Sequence, residues 1–268
     1  MPKRLRASAA LALALGLAAA GCAPKRFTLP ADPGVPVDAF AEAWRQVAAP
    51  CLGVRTLTAE LALSGRAGGT RLRGGRVQAG FEAPGRIRLE GVAPFGQPVF
   101  ILAGDARRAT LLLPRDERVV QAADAAEILE ALAGVRLDAD TLRAVVAGCA
   151  MTSPPVGATQ HGDVMRFAFD EGAVYVRTRG AERRIVAAEA RPFLVEYLDE
   201  AASGAWPRRV RISRELPGDA RVDLTIGISQ VDTNMTLPPE AFTIDVPPGA
   251  MPMTLAQLRA AGPLGDRE

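Results

Sequence analysis

Apolar and polar residues alternate along many short stretches of this chain, which is the pattern of strands that bury one face. Leu57, Ala59, Leu61 and Leu63 alternate with polar or small residues, and residues 222–228 repeat the pattern far along the chain. Prolines and glycines separate these stretches into segments of hairpin length. The pattern therefore predicts about eleven strands, paired as hairpins of one antiparallel sheet.

A helical period replaces the alternation near the start of the sheet-forming region. The first helix is predicted at 38–48, with Asp38 as its N-cap and an apolar stripe that includes Phe40 and Trp44. Pro50 is expected to end this helix, because a proline lacks the amide hydrogen that a helix interior needs.

Two short helices are predicted between residues 124 and 148, in the middle of the strands. Asp124 and Asp138 are the expected N-caps, and Gly134 and Gly148 are the expected C-terminal residues. Residues 254–261 predict a last helix.

A sheet of so many strands curls and has to cover its apolar concave face. The helices are the cover that this chain has to offer. We therefore predict an α+β fold that is mainly β, an unclosed antiparallel barrel with a helical lid over an apolar cavity.

The first residues are typical of an export signal. Three cations, Lys3, Arg4 and Arg6, precede an apolar run at 7–21 that is shorter than the ~20 residues of a membrane-spanning helix. Small residues come directly before Cys22, as in the cleavage site of bacterial lipoproteins. Cys22 is predicted to carry the lipid anchor, the alternative being ordinary cleavage that leaves a free thiol.

These features predict four segments. Residues 1–21 form the signal peptide, and 22–37 form the lipidated cysteine with a proline-rich tether. A single domain follows at 38–250, and a C-terminal helix and tail occupy 251–268.

Charge argues against a nucleic-acid partner. The full chain has 32 Lys+Arg and 30 Asp+Glu. Removing the three cations of the signal leaves 29 basic against 30 acidic residues, so the exported chain is close to neutral. A nucleic-acid binder needs clustered positive charge instead.

We expect the exported chain to be a monomer.

Cys51 and Cys149 remain once Cys22 is acylated. In an oxidising compartment such a pair usually forms a disulfide, and closing a loop of this length contributes about 4–5 kcal/mol. Two buried free thiols are the alternative.

The residues of known catalytic and metal sites are missing from the sequence. The chain has one histidine, His161, in a polar turn where a surface position is expected. Asp138 and Asp140 are explained by helix capping, and no nucleophile or phosphate-loop motif is found. We therefore expect no enzyme activity, no metal and no cofactor.

An aliphatic interior under a helical lid is suited to acyl chains, since each buried CH₂ group contributes about 0.8 kcal/mol. The same residues fit a solid core, and the sequence pattern alone leaves both open. The candidate residues for the cavity and lid are Phe40, Trp44, Leu61, Leu63, Leu89, Ile128, Leu132, Leu142, Val146 and Phe167.

Residues 86–148 add a family resemblance. A strand that ends in Pro94-Phe95-Gly96 is followed by further strands and then by the helix pair with Leu132 and Leu142. This order resembles the LolB family of outer-membrane lipoproteins, in the LolA/LolB superfamily of lipoprotein localisation factors. The Cys51–Cys149 pair and the C-terminal extension depart from that family.

The resemblance implies an unclosed barrel whose cavity takes the acyl chains of other lipoproteins. It implies that Phe95, exposed in the membrane-insertion loop shaped by Pro94 and Gly96, helps to insert the cargo into the membrane. The alternative is a Phe95 side chain folded back over the sheet edge. A LolA-like periplasmic carrier would be the soluble partner, and the periplasmic face of the outer membrane would be the location. Two other functions stay open, a carrier of a different lipid and an envelope scaffold without a ligand.

Overall fold

The computed structural model describes residues 26–68, 70–92, 98–198, 206–215 and 221–261. The predicted signal peptide, Cys22 and the loop of Pro94, Phe95 and Gly96 lie outside the described residues. Within the described ranges, none of the helices has both the length and the apolar character needed to cross a membrane.

Within those ranges, fifteen strands form one sheet. The strands are β1 (Val35–Pro36), β2 (Thr56–Gly68), β3 (Thr70–Glu82), β4 (Arg86–Val92), β5 (Phe100–Gly104), β6 (Ala109–Leu113), β7 (Arg118–Ala122), β8 (Gly157–His161), β9 (Val164–Phe169), β10 (Gly172–Arg179), β11 (Glu182–Ala190), β12 (Phe193–Tyr197), β13 (Arg209–Glu215), β14 (Arg221–Thr233) and β15 (Met251–Pro252). Their order in the sheet is β1, β8 to β14, β2 to β7, β15.

The sheet is open, because β1 and β15 stand at opposite ends of the strand order and do not pair with each other. Every pairing is antiparallel except that of β15 with β7. The prediction of a mainly β, unclosed antiparallel sheet with a few helices is confirmed. The sheet has fifteen strands rather than the predicted eleven or so. Strands β1, β8 and β15 are hard to predict, because β1 and β15 have only two residues each and β8 has no fully buried residue.

The described helices are α1 (Phe40–Leu52), α2 (Ala125–Ala133), α3 (Ala139–Val146) and α4 (Leu255–Ala261). Asp124 and Asp138 are confirmed as N-caps, since their carboxylates accept the backbone N–H groups of Glu127 and Thr141. Gly134 ends α2 with a φ of 65°, a conformation that glycine adopts without strain.

The boundaries predicted for α1 were wrong. The helix begins after Ala39, without a side-chain cap from Asp38, and it continues through Pro50 to Leu52. Pro50 lies in the last turn, where it removes only one helical hydrogen bond. Burial of Ala48 and Cys51 on the core side of this turn compensates for that loss.

The main core lies between the concave face of the sheet and the helices. Strand β4 shows how the alternation builds it, since Ile87 and Leu89 are buried while Arg88 and Glu90 face outward. A second, smaller cluster lies on the convex face around Tyr175 and Val186, and Phe27 packs against it.

The prediction of a free tether up to residue 37 was wrong for residues 26–37, which belong to the folded body. Val35 and Pro36 pair with Gln160 and Thr159 of β8. The Phe27 ring lies 5.2 Å from that of Tyr175. The prolines of this segment suit an edge position, because they remove donors that an edge strand does not need.

The C-terminal segment also packs on the body. Met251 and Pro252 pair with Arg118 and Val119 of β7, and helix α4 contacts α2. Leu258 of α4 is fully buried. The last strand and helix therefore support the outer side of the predicted lid.

Candidate functional site

An apolar cavity of about 70 Å³ lies between the concave face of the sheet and the helices α2 and α3. Every residue that lines it is apolar. The lining residues are Leu61, Leu63, Leu72, Val77, Leu89, Phe100, Leu129, Leu132, Ala133, Val135, Leu137, Leu142, Ile212, Leu224 and Ile226.

Strand register brings the floor of this cavity together. Ile226 of β14 lies opposite Leu63 of β2, and Ile212 of β13 lies opposite Leu224. Successive side chains of a strand point to opposite faces, so the alternating residues of β2 and β14 reach the same side. Helix α2 and the turn after it form the roof through Leu129, Leu132 and Val135.

Five of the ten predicted cavity and lid residues line this space. They are Leu61, Leu63, Leu89, Leu132 and Leu142.

The other five lie elsewhere in the core. The Trp44 ring packs 5.3 Å from the Phe167 ring, and Phe40 is half-buried against the same cluster. Ile128 and Val146 are fully buried in the main cluster. These residues form solid packing beside the cavity.

Ten of the lining residues were not among the predicted candidates. Leu224 and Ile226 belong to the alternating stretch at 222–228, so the alternation alone could have indicated that both face the interior. Val135 and Leu137 lie between α2 and α3, outside any regular period. The remaining ones are Leu72, Val77, Phe100, Leu129 and Ile212, together with the small residue Ala133.

Helix α3 is tied firmly to the rest of the molecule. Cys149, just after it, forms a disulfide with Cys51 of α1, with Cα atoms 6.0 Å apart. The buried Arg143 guanidinium donates to the backbone carbonyl of Val54 and, at 3.1 Å, to the Asp140 carboxylate. Asp140 in turn accepts the Gly85 N–H at 2.9 Å.

A tyrosine adds a further tie to α3. The Tyr197 hydroxyl of β12 donates to the backbone carbonyl of Val145 at 3.3 Å. Burial raises the pKa of this phenol, so it stays protonated and available as a donor.

Helix α2 is held differently. In the described part of the chain, its side chains make no hydrogen bond or salt bridge to the sheet. Arg136 pairs with Glu130 at 3.2 Å, but both side chains are well exposed, and such pairs contribute little. Apolar packing against the sheet and α4 therefore holds α2 in place.

His161 is not at the surface, and that expectation was wrong. Its side chain is 6% exposed because the N-terminal segment covers it, with Gly34 against the ring. Its Nδ1 lies 2.9 Å from an Asp32 oxygen and its Nε2 lies 2.8 Å from the Thr159 hydroxyl. The His161 contact lowers the pKa of the Asp32 carboxyl. The Nδ1 contact thus holds the N-terminal segment against β8, while the Nε2 contact lies within β8 and orients the ring.

Metal ligands do not cluster in the described ranges, where no three of the His, Cys, Asp and Glu side chains could share an ion. The cavity lining offers only carbon atoms to a ligand. The cavity can therefore recognise a ligand only by its shape and its apolar surface.

Comparisons with known proteins give a distant likeness. No family model matches the chain, and no curated protein matches it. Among similar solved structures is a LolA superfamily protein from Nitrosomonas europaea, with a TM-score of 0.49 and 13% identity over 76% of this chain and 97% of that one. LprF from Mycobacterium bovis has a TM-score of 0.31 and 13% identity over 81% and 100%. At these scores the likeness assigns no function.

Proposed function

We propose that this chain is a carrier that binds acyl chains in the cavity beneath α2 and α3. The observation that carries the proposal is a cavity lined entirely by apolar side chains in the concavity of an open sheet. Each CH₂ group that enters the cavity makes the free energy of binding more favourable by about 0.8 kcal/mol. Because the lining has no polar groups, binding leaves no donor or acceptor without a partner.

The volume of the cavity requires that the lid moves when a ligand enters. A cavity of about 150 Å³ accommodates benzene, and the space here is about 70 Å³. A long acyl chain therefore has to displace part of the roof.

Helix α2 is the part of the roof that moves in this proposal. Helix α3 is held by a disulfide, a buried arginine and two further hydrogen bonds, whereas α2 is held by apolar packing. An acyl chain replaces those apolar contacts with similar ones, so that opening α2 costs little net apolar burial.

The cargo and location that we propose come from the sequence. The export signal and Cys22 support a lipid-anchored protein, and the resemblance at 86–148 supports the periplasmic face of the outer membrane. The cargo is then another lipoprotein, received from a LolA-like soluble carrier and inserted with the help of Phe95.

Leu129→Glu tests the cavity. Leu129 is a half-buried residue of α2 that faces the cavity, so a carboxylate there puts a charge where the acyl chain binds. We expect binding of a fluorescent fatty acid to weaken about tenfold or more. Leu52→Glu is the matched control, because Leu52 is an exposed leucine outside the cavity.

The outcomes separate binding in the cavity from binding elsewhere. Thermal unfolding should show that both variants fold, and Leu52→Glu should bind as the parent does. Equal affinities of all three proteins would overturn the proposal.

Native mass spectrometry of protein purified from membranes identifies the cargo. A bound lipidated peptide supports lipoprotein transfer, and a bound glycolipid or fatty acid supports a carrier of a different lipid. The modest volume of the closed cavity favours one further candidate, an envelope scaffold whose core never opens. Failure to bind any lipid would support that scaffold.

A further inference from the structure

The N-terminal segment reaches the convex face of the sheet near β12, β13 and β14. The Phe27 N–H donates to the Glu196 carboxylate of β12 at 2.9 Å. Arg211 donates to this carboxylate at 2.7 Å and to the two oxygens of the Asp223 carboxylate on β14 at 2.7 and 2.8 Å. Arg26, the residue before Phe27, therefore lies on the convex face beside this network.

The position of Arg26 limits where a lipid on Cys22 can be. Only four peptide units separate the two residues. A chain spans at most about 3.6 Å per residue, so the anchor is within about 15 Å of Arg26. The convex face around Asp223 must then lie close to the membrane that holds the anchor.

Four exposed arginines lie on β2, on β3 and at the start of β14, and we call them the arginine patch: Arg66, Arg71, Arg76 and Arg221. Arg66 of β2 lies directly opposite both Asp223 of β14 and Arg71 of β3. Val222 and Leu224 are buried, so Asp223 and its cross-strand neighbours face outward.

The patch keeps a net positive charge. Both oxygens of Asp223 accept hydrogen bonds from Arg211, and Glu215 lies opposite Arg221. Among the described residues, the side chains of the four arginines form no salt bridge and no hydrogen bond. Arg66 and Arg71 form a like-charge pair across two strands, an arrangement that destabilises an isolated sheet.

We propose that the arginine patch binds the phosphate headgroups of anionic lipids in the membrane that carries the anchor. Anionic headgroups remove the repulsion between Arg66 and Arg71. The short anchor and the patch together then fix the orientation of the body. In this orientation the C-terminal end of β2 and the N-terminal ends of β3 and β14 lie against the lipid. The inference rests on the anchor of the proposed function and is independent of the cavity.

The test separates the patch from the anchor. The exported chain with Cys22→Ser, which lacks the acyl group, is mixed with vesicles of phosphatidylcholine alone or with about 30 mol% phosphatidylglycerol. We expect it to sediment with the anionic vesicles, to be released by salt, and to ignore the neutral ones.

Changing all four patch arginines to glutamine should weaken sedimentation with anionic vesicles about tenfold or more, because each cation near such a surface contributes measurably. The matched control changes Arg45, Arg107, Arg108 and Arg259 to glutamine, four exposed arginines away from the patch. Equal losses in both sets, or none in either, would overturn the proposal. Fatty-acid binding by the patch variant should equal that of the parent, so a failure here is distinct from a failure of the cavity.

Orientation is tested with the acylated protein in the same anionic vesicles. A fluorophore on Ser64→Cys, next to the patch, should be shielded from an aqueous quencher. One on Ala106→Cys, in the turn at the opposite end of the strands, should stay accessible. Equal quenching at the two sites would contradict the proposed orientation.

Discussion

At the scale of single residues, Arg211 organises the charged groups of the convex face. It donates to Glu196 at 2.7 Å and to both oxygens of Asp223 at 2.7 and 2.8 Å. Glu196 is only 2% exposed, so its charge depends on this partner and on the Phe27 N–H. One arginine thus links three strands to the N-terminal segment.

Arg211→Met should destabilise the protein by about 3–5 kcal/mol, because it leaves the buried Glu196 charge without its cation. Urea unfolding measures the loss. Asp223→Asn is the control and should cost less, since Arg211 still pairs with Glu196. A loss no greater than that of the control would show that Glu196 does not need Arg211.

The same network gives a dependence on pH. Arg211 lowers the pKa of Asp223 below its unfolded value. The stability from this carboxylate is therefore fully present above the ordinary carboxyl pKa and is lost as the pH falls through the lowered one. Asp223→Asn should remove this part of the acid dependence.

Phe95 is a second residue whose predicted role can be tested by substitution, although it lies outside the described residues. Phe95→Glu should leave folding intact and stop the delivery of a lipidated protein to liposomes, because a carboxylate does not enter the apolar layer. Phe95→Leu is the control and should still deliver. Unchanged delivery by the glutamate variant would remove this loop from the mechanism.

At the scale of elements, the two helices over the cavity differ in how they are held. Helix α3 has covalent and buried polar ties, and α2 has apolar contacts. The Cys51–Cys149 bridge ties α1 to α3 and does not hold α2, because Cys149 follows α3 and α2 carries no cysteine.

Cys51→Ser with Cys149→Ser should lower the free energy of unfolding by about 4 kcal/mol, because the disulfide closes a loop with a sequence separation of 98. Reducing agent should likewise lower the melting temperature of the parent. An unchanged melting curve, together with two titratable thiols in the parent, would show that the bridge does not form in solution.

At the scale of the whole molecule, the chain ends complete the open sheet. Residues 26–37 cover one edge through β1, and Met251 and Pro252 cover the other through β15. Such cover keeps the unpaired backbone groups of the edges from pairing with other chains. Because these terminal strands have two residues each, no period in the sequence could indicate them.

The predictions from the sequence agreed best with the structure where they depended on neighbouring residues alone. The alternating strands and the caps at Asp124 and Asp138 were predicted correctly, because strand parity and capping depend on neighbouring residues. Pro50, His161 and residues 26–37 were misjudged, since their surroundings come from distant parts of the chain.

The sequence by itself determined a mainly β sheet with helices over its apolar face, because binary patterning expresses local geometry. Only the tertiary structure decided which apolar residues leave a space and which fill it. Leu63 and Ile226 line the cavity while Phe167 and Trp44 pack solidly, although the alternation of strands and the stripe of the helix predict that all four face the interior. That distinction depends on register and helix placement, which bring together residues far apart in the chain.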